Sequence, residues 1–256
     1  MKSLWNGSLG FGLVNIPIKM YSASENRRID LDMLDSEDHS RIRYKRVNEK
    51  SGKEVEWKDI VKGFKIDDKY IVLEDEDFEK ANAKKSKVVE IEAFVNESDV
   101  ADMLFKKPYF LEPQKGGGKA YNLLRDALKK TKKLGLATFV MRQKENLCLI
   151  GIYKNTLVLH VIRFSEEIRS PSDLNISTSK VTKKEMEMAE SLIKQYSEKF
   201  DLSKYKDQYN EQLMKVIKAK SKGKKTVVKK FKPKNTPAKD LMAQLKASLE
   251  KRKKAS

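Results

Sequence analysis

Two apolar runs held apart by a pair of turn residues constrain this chain more than any other feature. Leu147–Tyr153 is rich in Leu and Ile, Thr156–Phe164 in Leu and Val, and Lys154-Asn155 stands between them. Runs of this length two residues apart predict an antiparallel hairpin around which the rest of the sheet must be built. Further strands are predicted at Ile29–Leu34, Arg41–Val47, Tyr70–Leu73, Val88–Val95, Tyr109–Leu111 and Leu136–Arg142. Ser8–Tyr21 reads as one or two strands. There Leu9, Phe11 and Leu13 alternate, Val14, Ile16 and Ile18 switch face, and Pro17 implies an edge or a bend. Gly10 and Gly12 fit a tightly curved strand. Many short strands with turns at modest intervals imply an antiparallel sheet closed into a barrel.

Helices interrupt this pattern twice. One is predicted over Asp75–Ala83 with Asp75 as its cap, the other over Ala120–Lys130, where Ala120, Leu124, Ala127 and Leu128 share a face. After Pro171 the period becomes helical. Thr182-Lys183-Lys184-Glu185 is a capping box, and Met186, Ala189, Ile193, Tyr196 and Phe200 come next at three- and four-residue steps. Tyr205, Tyr209, Leu213 and Val216 repeat the stripe after a break at Asp201-Leu202-Ser203. This pair must bury its stripe on the barrel, on each other or on a partner chain.

The charge is segregated along the chain. Residues 218–256 hold 15 lysines and arginines against two acids, a net +13, so the first 217 residues carry +5 of the total +18. A segment this basic and this poor in apolar residues, broken by Gly223, Pro233 and Pro237, is expected to be a mobile arm over 218–239, with a short amphipathic helix at Asp240–Leu249. Its repulsion is relieved by a polyanion, and lysine–phosphate contacts carry no sequence information. DNA contact is therefore expected of Lys224, Lys225, Lys229 and Lys230, against the alternative of a solubilising tail. No apolar run approaches the ~20 residues that span a bilayer. The first seven residues lack the apolar core of a secretory signal, so an intracellular, soluble protein with no membrane association is expected.

Motifs that suggest chemistry fail on spacing. Gly116-Gly117-Gly118-Lys119 would need glycine at Pro113 and a hydroxyl residue at Ala120 to form a phosphate loop, so it reads as a lead into a helix. Asp30, Asp32, Asp35, Glu37 and Asp38 lack the ligand at Leu34 and the glycine at Asp35 of a calcium loop. Alternation with Ile29, Leu31 and Met33 makes them the wet face of a strand; a two-metal nuclease on these carboxylates is the rival reading. His160, between Leu159 and Val161, reads as a structural histidine, and Cys148 as a core residue. No cofactor, no metal and no catalytic residue is assigned.

Within the folded part, Arg41, Arg43 and Lys45 alternate with Ile42 and Tyr44. In a strand these cations would repeat every 6.6 to 6.8 Å, roughly the ~7 Å between successive phosphates of one DNA strand, so this face could track a backbone. The alternative is a solvated strand face. Lys106-Lys107, Lys129-Lys130, Lys132-Lys133 and the set Arg125, Arg142 and Lys144 are further candidates.

Several stretches in order resemble the bacterial form of the DNA-end-binding protein Ku: WNGSLGFGLVNIPIKMYSAS (5–24), SRIRYKRV (40–47), KPYFLEP (107–113), KAYNLLRDALK (119–129) and FDLSKYKDQYNEQLMKVIKAK (200–220). The resemblance implies a β-barrel core with a bridging extension, two chains of which pair into a ring around a duplex end. The expected class is thus mixed, mainly β: an antiparallel barrel with its bridge over 1–180, C-terminal helices over 181–220, and a basic flexible tail over 221–256. The resemblance also implies non-catalytic, sequence-independent binding of double-stranded DNA ends by a homodimer in non-homologous end joining. It adds an ATP-dependent DNA ligase of the ligase D type as partner, docking on Thr182–Lys220, and a cytoplasmic, nucleoid-associated location. Arg41, Arg43, Lys45, Arg46, Lys106, Lys107, Arg142 and Lys144 are the candidates for the inner wall. Some relatives carry cysteines near 38–52 that could hold a metal; this chain has none there, and functions tied to the adhesion-type domain of the eukaryotic proteins are not expected of it. A nucleoid-packing protein and an RNA-binding module are the remaining alternatives. The latter should expose aromatics for stacking, whereas here they mostly fall on core-like stripes.

Overall fold

The computed structural model describes residues 1–81, 87–142, 144–224, 244–246 and 248. By its contacts the chain divides into two units, one of residues 1–27 and 32–170, the other of residues 28–31 and 171–256.

In the first unit the sheet closes. Its strands are β1 (Trp5–Phe11), β2 (Val14–Ser22), β5 (Val88–Asn96), β6 (Phe105–Pro113), β7 (Lys133–Met141), β8 (Lys144–Tyr153) and β9 (Thr156–Ile162), in the order β1-β2-β6-β9-β8-β7-β5 around a barrel. The predicted hairpin is β8–β9, with Tyr153 opposite Thr156 and Lys154 in the left-handed region at the turn. Every neighbouring pair is antiparallel except β1 and β5, which run parallel with Ser8 opposite Val88 and Phe11 opposite Ile91. That single parallel seam completes the barrel.

The barrel closes because one face of each strand is apolar. Leu9, Ile16, Ile18, Met20, Val89, Leu111, Ala137, Cys148, Ile150, Leu157 and Leu159 are all buried in one cluster. Burial of each large aliphatic side chain contributes ~1.5–3 kcal/mol, which is what offsets the ordering of so many short strands. In β8 four successive residues, Cys148 to Gly151, are buried, so both faces of that strand are covered. Helix α2 (Gly118–Thr131) adds Tyr121, Leu124 and Leu128 to the same cluster. The glycine run does lead into it, Gly117 preceding its first turn.

One detail of the first strand pair differs from expectation. The alternation predicted through Leu13 stops at a two-residue turn, where Gly12 takes φ 58° and Leu13 lies at the tip, fully exposed. Gly7 and Gly10 permit close approach across the seam, since a Cβ on Gly7 would lie 2.2 Å from the Lys87 carbonyl oxygen. Pro17 pairs with Ser8 on one side, while on the other the ladder with β6 ends at Ile18. The missing N–H therefore falls where no partner strand runs, as a strand proline requires.

Between β2 and β5 the chain leaves the barrel. Strands expected at Ile29–Leu34 and Arg41–Val47 do not form; only single bridges join Leu34 to Arg41 and Val47 to Glu54. Period-two alternation there has no buried face to reward it, as Ile42 and Tyr44 are both exposed. The same finding removes the strand whose wet face Asp32 and its neighbours were expected to occupy. A hairpin does form further on, from β3 (Lys62–Ile66), which the sequence pattern does not reveal, and β4 (Lys69–Leu73). Its turn residues Asp67 and Asp68 both have positive φ, the geometry of a primed two-residue turn. Helix α1 (Asp75–Ala81) begins one residue earlier than its expected cap implied. Asp75 is its first helical residue, and the Asp77 carboxylate accepts from the Glu74 N–H at 3.0 Å. Residues 82 and 83 of the expected helix lie outside the described residues.

In the second unit, helix α3 (Lys183–Tyr196) opens on the predicted capping box. Thr182 Oγ1 accepts from the Glu185 N–H at 3.3 Å and the Glu185 carboxylate accepts from the Thr182 N–H at 2.8 Å. A 3-10 turn over Leu202–Lys204 precedes helix α4 (Gln208–Lys220), which Asp207 caps through the Asn210 N–H. Tyr205, expected in that helix, lies before it. No residue of α3 or α4 is buried, and Met186, Ile193, Tyr196 and Tyr209 stand exposed. Residues 244–246 and 248 are helical, and the rest of the helix expected at Asp240–Leu249 lies outside the described residues.

Candidate nucleic-acid interface

The candidate cations of the first unit fall into two groups. One is carried by the excursion between β2 and β5. Arg41 is paired with Asp32, and Lys45 with Glu54 at 2.6 Å, a contact that raises the lysine's pKa. The Arg46 guanidinium lies over the Trp57 ring, 4.6 Å from its centroid, where the ring face attracts a cation. Arg43 has no partner among the described residues. The even spacing expected of Arg41, Arg43 and Lys45 came from a strand that does not form, so their arrangement is set by these local pairings instead.

The other group sits at one end of the barrel. The register of β6 on β9 shifts between Phe105 and Lys107, leaving Lys106 as the extra residue of a bulge. Its ammonium donates to both oxygens of Glu167, at 2.7 and 2.8 Å. Glu167 belongs to a 3-10 turn, Ser165–Glu167, just past β9, and its carboxylate also accepts from the Phe164 N–H at 2.8 Å. The Lys106 hydrogen bonds first, then the Phe164 N–H, then the charges of Lys106 and Lys144 hold this carboxyl below the usual glutamate range. Lys144 opens β8 opposite Met141, and Arg142 occupies the intervening turn with φ 54°. Lys107 lies over the Tyr109 ring at 5.4 Å.

The structure thus pairs Lys106 with Glu167, whose carboxyl also feels the charge of Lys144, and keeps Arg41, Arg43, Lys45 and Arg46 together on the excursion. Sequence reasoning does not single out Glu167, because one acid after a strand carries no signal until the fold brings it across 61 residues to Lys106. It misses Arg163 for the same reason; the Arg163 guanidinium donates to the Met103 and Phe105 carbonyls at 2.8 Å each and braces the entry to β6. In the second unit Lys224 is exposed, while Lys225, Lys229 and Lys230 lie outside the described residues.

Other reactive groups have structural surroundings. Cys148 is buried, its thiol donates to the Ala137 carbonyl at 3.4 Å, and burial pushes its pKa up. His160 is half-buried edge-on to Phe105, and burial lowers its pKa. A cleft of about 750 Å³ lies beside Tyr21, Phe110, Glu112 and Tyr153, where the Tyr21 hydroxyl donates to Glu112 at 2.6 Å.

Residues 10–188, which take in most of the barrel and run on into the first turns of α3, match the family model described as the Ku70/Ku80 beta-barrel domain. The chain belongs to the Ku family. Its similarity to curated members runs nearly end to end. It is 40% identical to the non-homologous end joining protein Ku of Archaeoglobus fulgidus, over 98% of this chain and 99% of that one. The Coxiella burnetii protein of the same name is 36% identical over 99% of this chain and 96% of its own. That of Bacillus subtilis is 37% identical over 98% and 82%. The closed barrel is the fold expected of a Ku chain. Among the described residues no helix is long and apolar enough to cross a membrane.

Proposed function

We propose that this chain binds the ends of double-stranded DNA, without catalysis and without sequence preference, in the repair of breaks by non-homologous end joining. The observation that carries this reading is the near end-to-end similarity to proteins named for that process. A net charge of +18 supplies the matching electrostatics for phosphates. Arg41, Arg43, Lys45, Arg46, Lys106, Lys107, Arg142 and Lys144 form the DNA-facing wall, and Lys224, Lys225, Lys229 and Lys230 add contacts from the tail.

The binding form is a ring of two chains. In support, no residue from 32 to 73 is buried, yet this stretch exposes Trp57, Val61, Phe64, Tyr70 and Val72. A two-stranded ribbon wet on both faces is marginal alone, so an apolar partner surface is needed, and a second copy supplies it. The chain then has three functional parts: barrel and bridge over 1–180, helices over 181–220 that dock an ATP-dependent ligase of the ligase D type, and the basic tail over 221–256. The exposed stripe of α3 and α4 supports the docking role. Such a protein works in the cytoplasm on the nucleoid.

A linear duplex and a covalently closed circle of the same sequence, competed at moderate salt, test the reading. Threading predicts that the linear form is bound and the circle scarcely, with a solution mass of twice one chain. Equal affinity for both would instead mark a DNA-packing protein.

A further inference from the structure

We propose that Glu167 is a built-in brake on DNA affinity, a carboxylate that holds Lys106 partly neutralised and so keeps the grip on phosphate loose. This rests on the reading that the barrel end carrying Lys106 and Lys144 faces DNA. Two of the three N–H groups of the Lys106 ammonium point at one carboxylate, at 2.7 and 2.8 Å. This pair is less exposed than Arg41–Asp32 or Lys45–Glu54, its side chains retaining 30% and 36% of their accessibility.

The carboxylate has a second anchor besides the lysine. The Phe164 N–H holds it at 2.8 Å from within the same 3-10 turn, independently of the lysine. A phosphate arriving at Lys106 therefore meets a fixed negative charge about one hydrogen bond away. It must share the ammonium with that charge, and the pair releases fewer counterions than a free lysine would. Lys144, whose charge also reaches Glu167, remains as the net positive group of the cluster. A clamp that holds by encirclement has no need of tight phosphate contacts, and each one weakened lowers the friction of movement along the duplex.

Glu167→Gln removes the charge and keeps the shape: the amide oxygen can still accept from Phe164 and from Lys106, while the amide NH2, itself a donor, gives up the second contact to the ammonium. If one phosphate contact is regained, log K against log salt steepens by about 0.9, and affinity at ~0.1 M salt rises about eightfold. Lys106→Ala, which leaves the carboxylate unmatched, should weaken binding, and the double variant should return near the parent. Glu166→Gln makes the same charge change on the exposed neighbour and should leave affinity within about twofold. A weakened Lys106→Ala with no gain in Glu167→Gln would overturn the brake while keeping the DNA-facing wall. No effect of either single variant on a dimer that still binds ends would overturn both.

Discussion

The Tyr121 hydroxyl, carried by α2, accepts the backbone N–H of Leu157 in β9 at 2.8 Å. The same hydroxyl donates to the Leu111 carbonyl at 2.7 Å in β6, so one buried side chain satisfies an acceptor and a donor of two paired strands. Tyr121→Phe keeps the ring and leaves both backbone groups buried without their partner. It is expected to cost ~1–3 kcal/mol, read from urea unfolding. A loss under a few tenths would mean that water replaces the hydroxyl.

Gly7→Ala tests the parallel seam. The added methyl would lie 2.2 Å from the Lys87 carbonyl oxygen and 2.3 Å from the Trp5 ring, and the first of these is backbone that cannot rotate away. A loss of ~1–3 kcal/mol is expected from overpacking. Gly118→Ala, at the first residue of α2 with open space around its Cβ, should be neutral or stabilising by up to ~1 kcal/mol. Similar melting temperatures for the two variants would contradict the account of β1 against β5.

Legibility in the sequence depends on the surface each segment packs against. The barrel strands and α2 are readable because one face of each meets a dry interior, and burial rewards periodicity in Leu9, Ile16, Leu124 and Leu159 alike. Arg41–Val47 has the same alternation and no interior to meet, so there the pattern misleads. β3 escapes notice because Lys62-Gly63-Phe64-Lys65-Ile66 mixes charge and glycine, and its hairpin is set by the Asp67-Asp68 turn rather than by apolar content. The cations can be named from composition. Their pairing with Asp32, Glu54 and Glu167 cannot, since ion pairs across a fold depend on register.

His160 gives the folded barrel a pH dependence. Burial lowers its pKa below the ordinary histidine value, so between that lowered value and ~6.5 the unfolded chain binds more protons than the folded one. Stability from this group is fully present above ~6.5 and is lost as pH falls through the lowered folded value. His160→Phe should flatten the fall in melting temperature between pH 7 and 5 relative to the parent. An unchanged slope would show that the imidazole titrates alike in both states.

Deleting residues 221–256 removes 13 lysines and arginines. Affinity for linear duplex should fall, and the salt slope should shrink by ~0.9 for each phosphate the tail no longer neutralises, while linear DNA is still preferred over closed circles. Loss of all binding in the shortened chain would make the tail, not the barrel and its arm, the primary DNA site.

Closing the barrel through β1 and β5 has a consequence for how the protein is made and varied. Residues 8–11 wait for 88–91, so this seam cannot form until the whole intervening stretch has left the ribosome, and a pairing so distant in sequence slows folding. The equilibrium toll is far milder, because doubling a loop's length costs only ~0.6 kcal/mol. The barrel's stability therefore sets little limit on the length of that excursion.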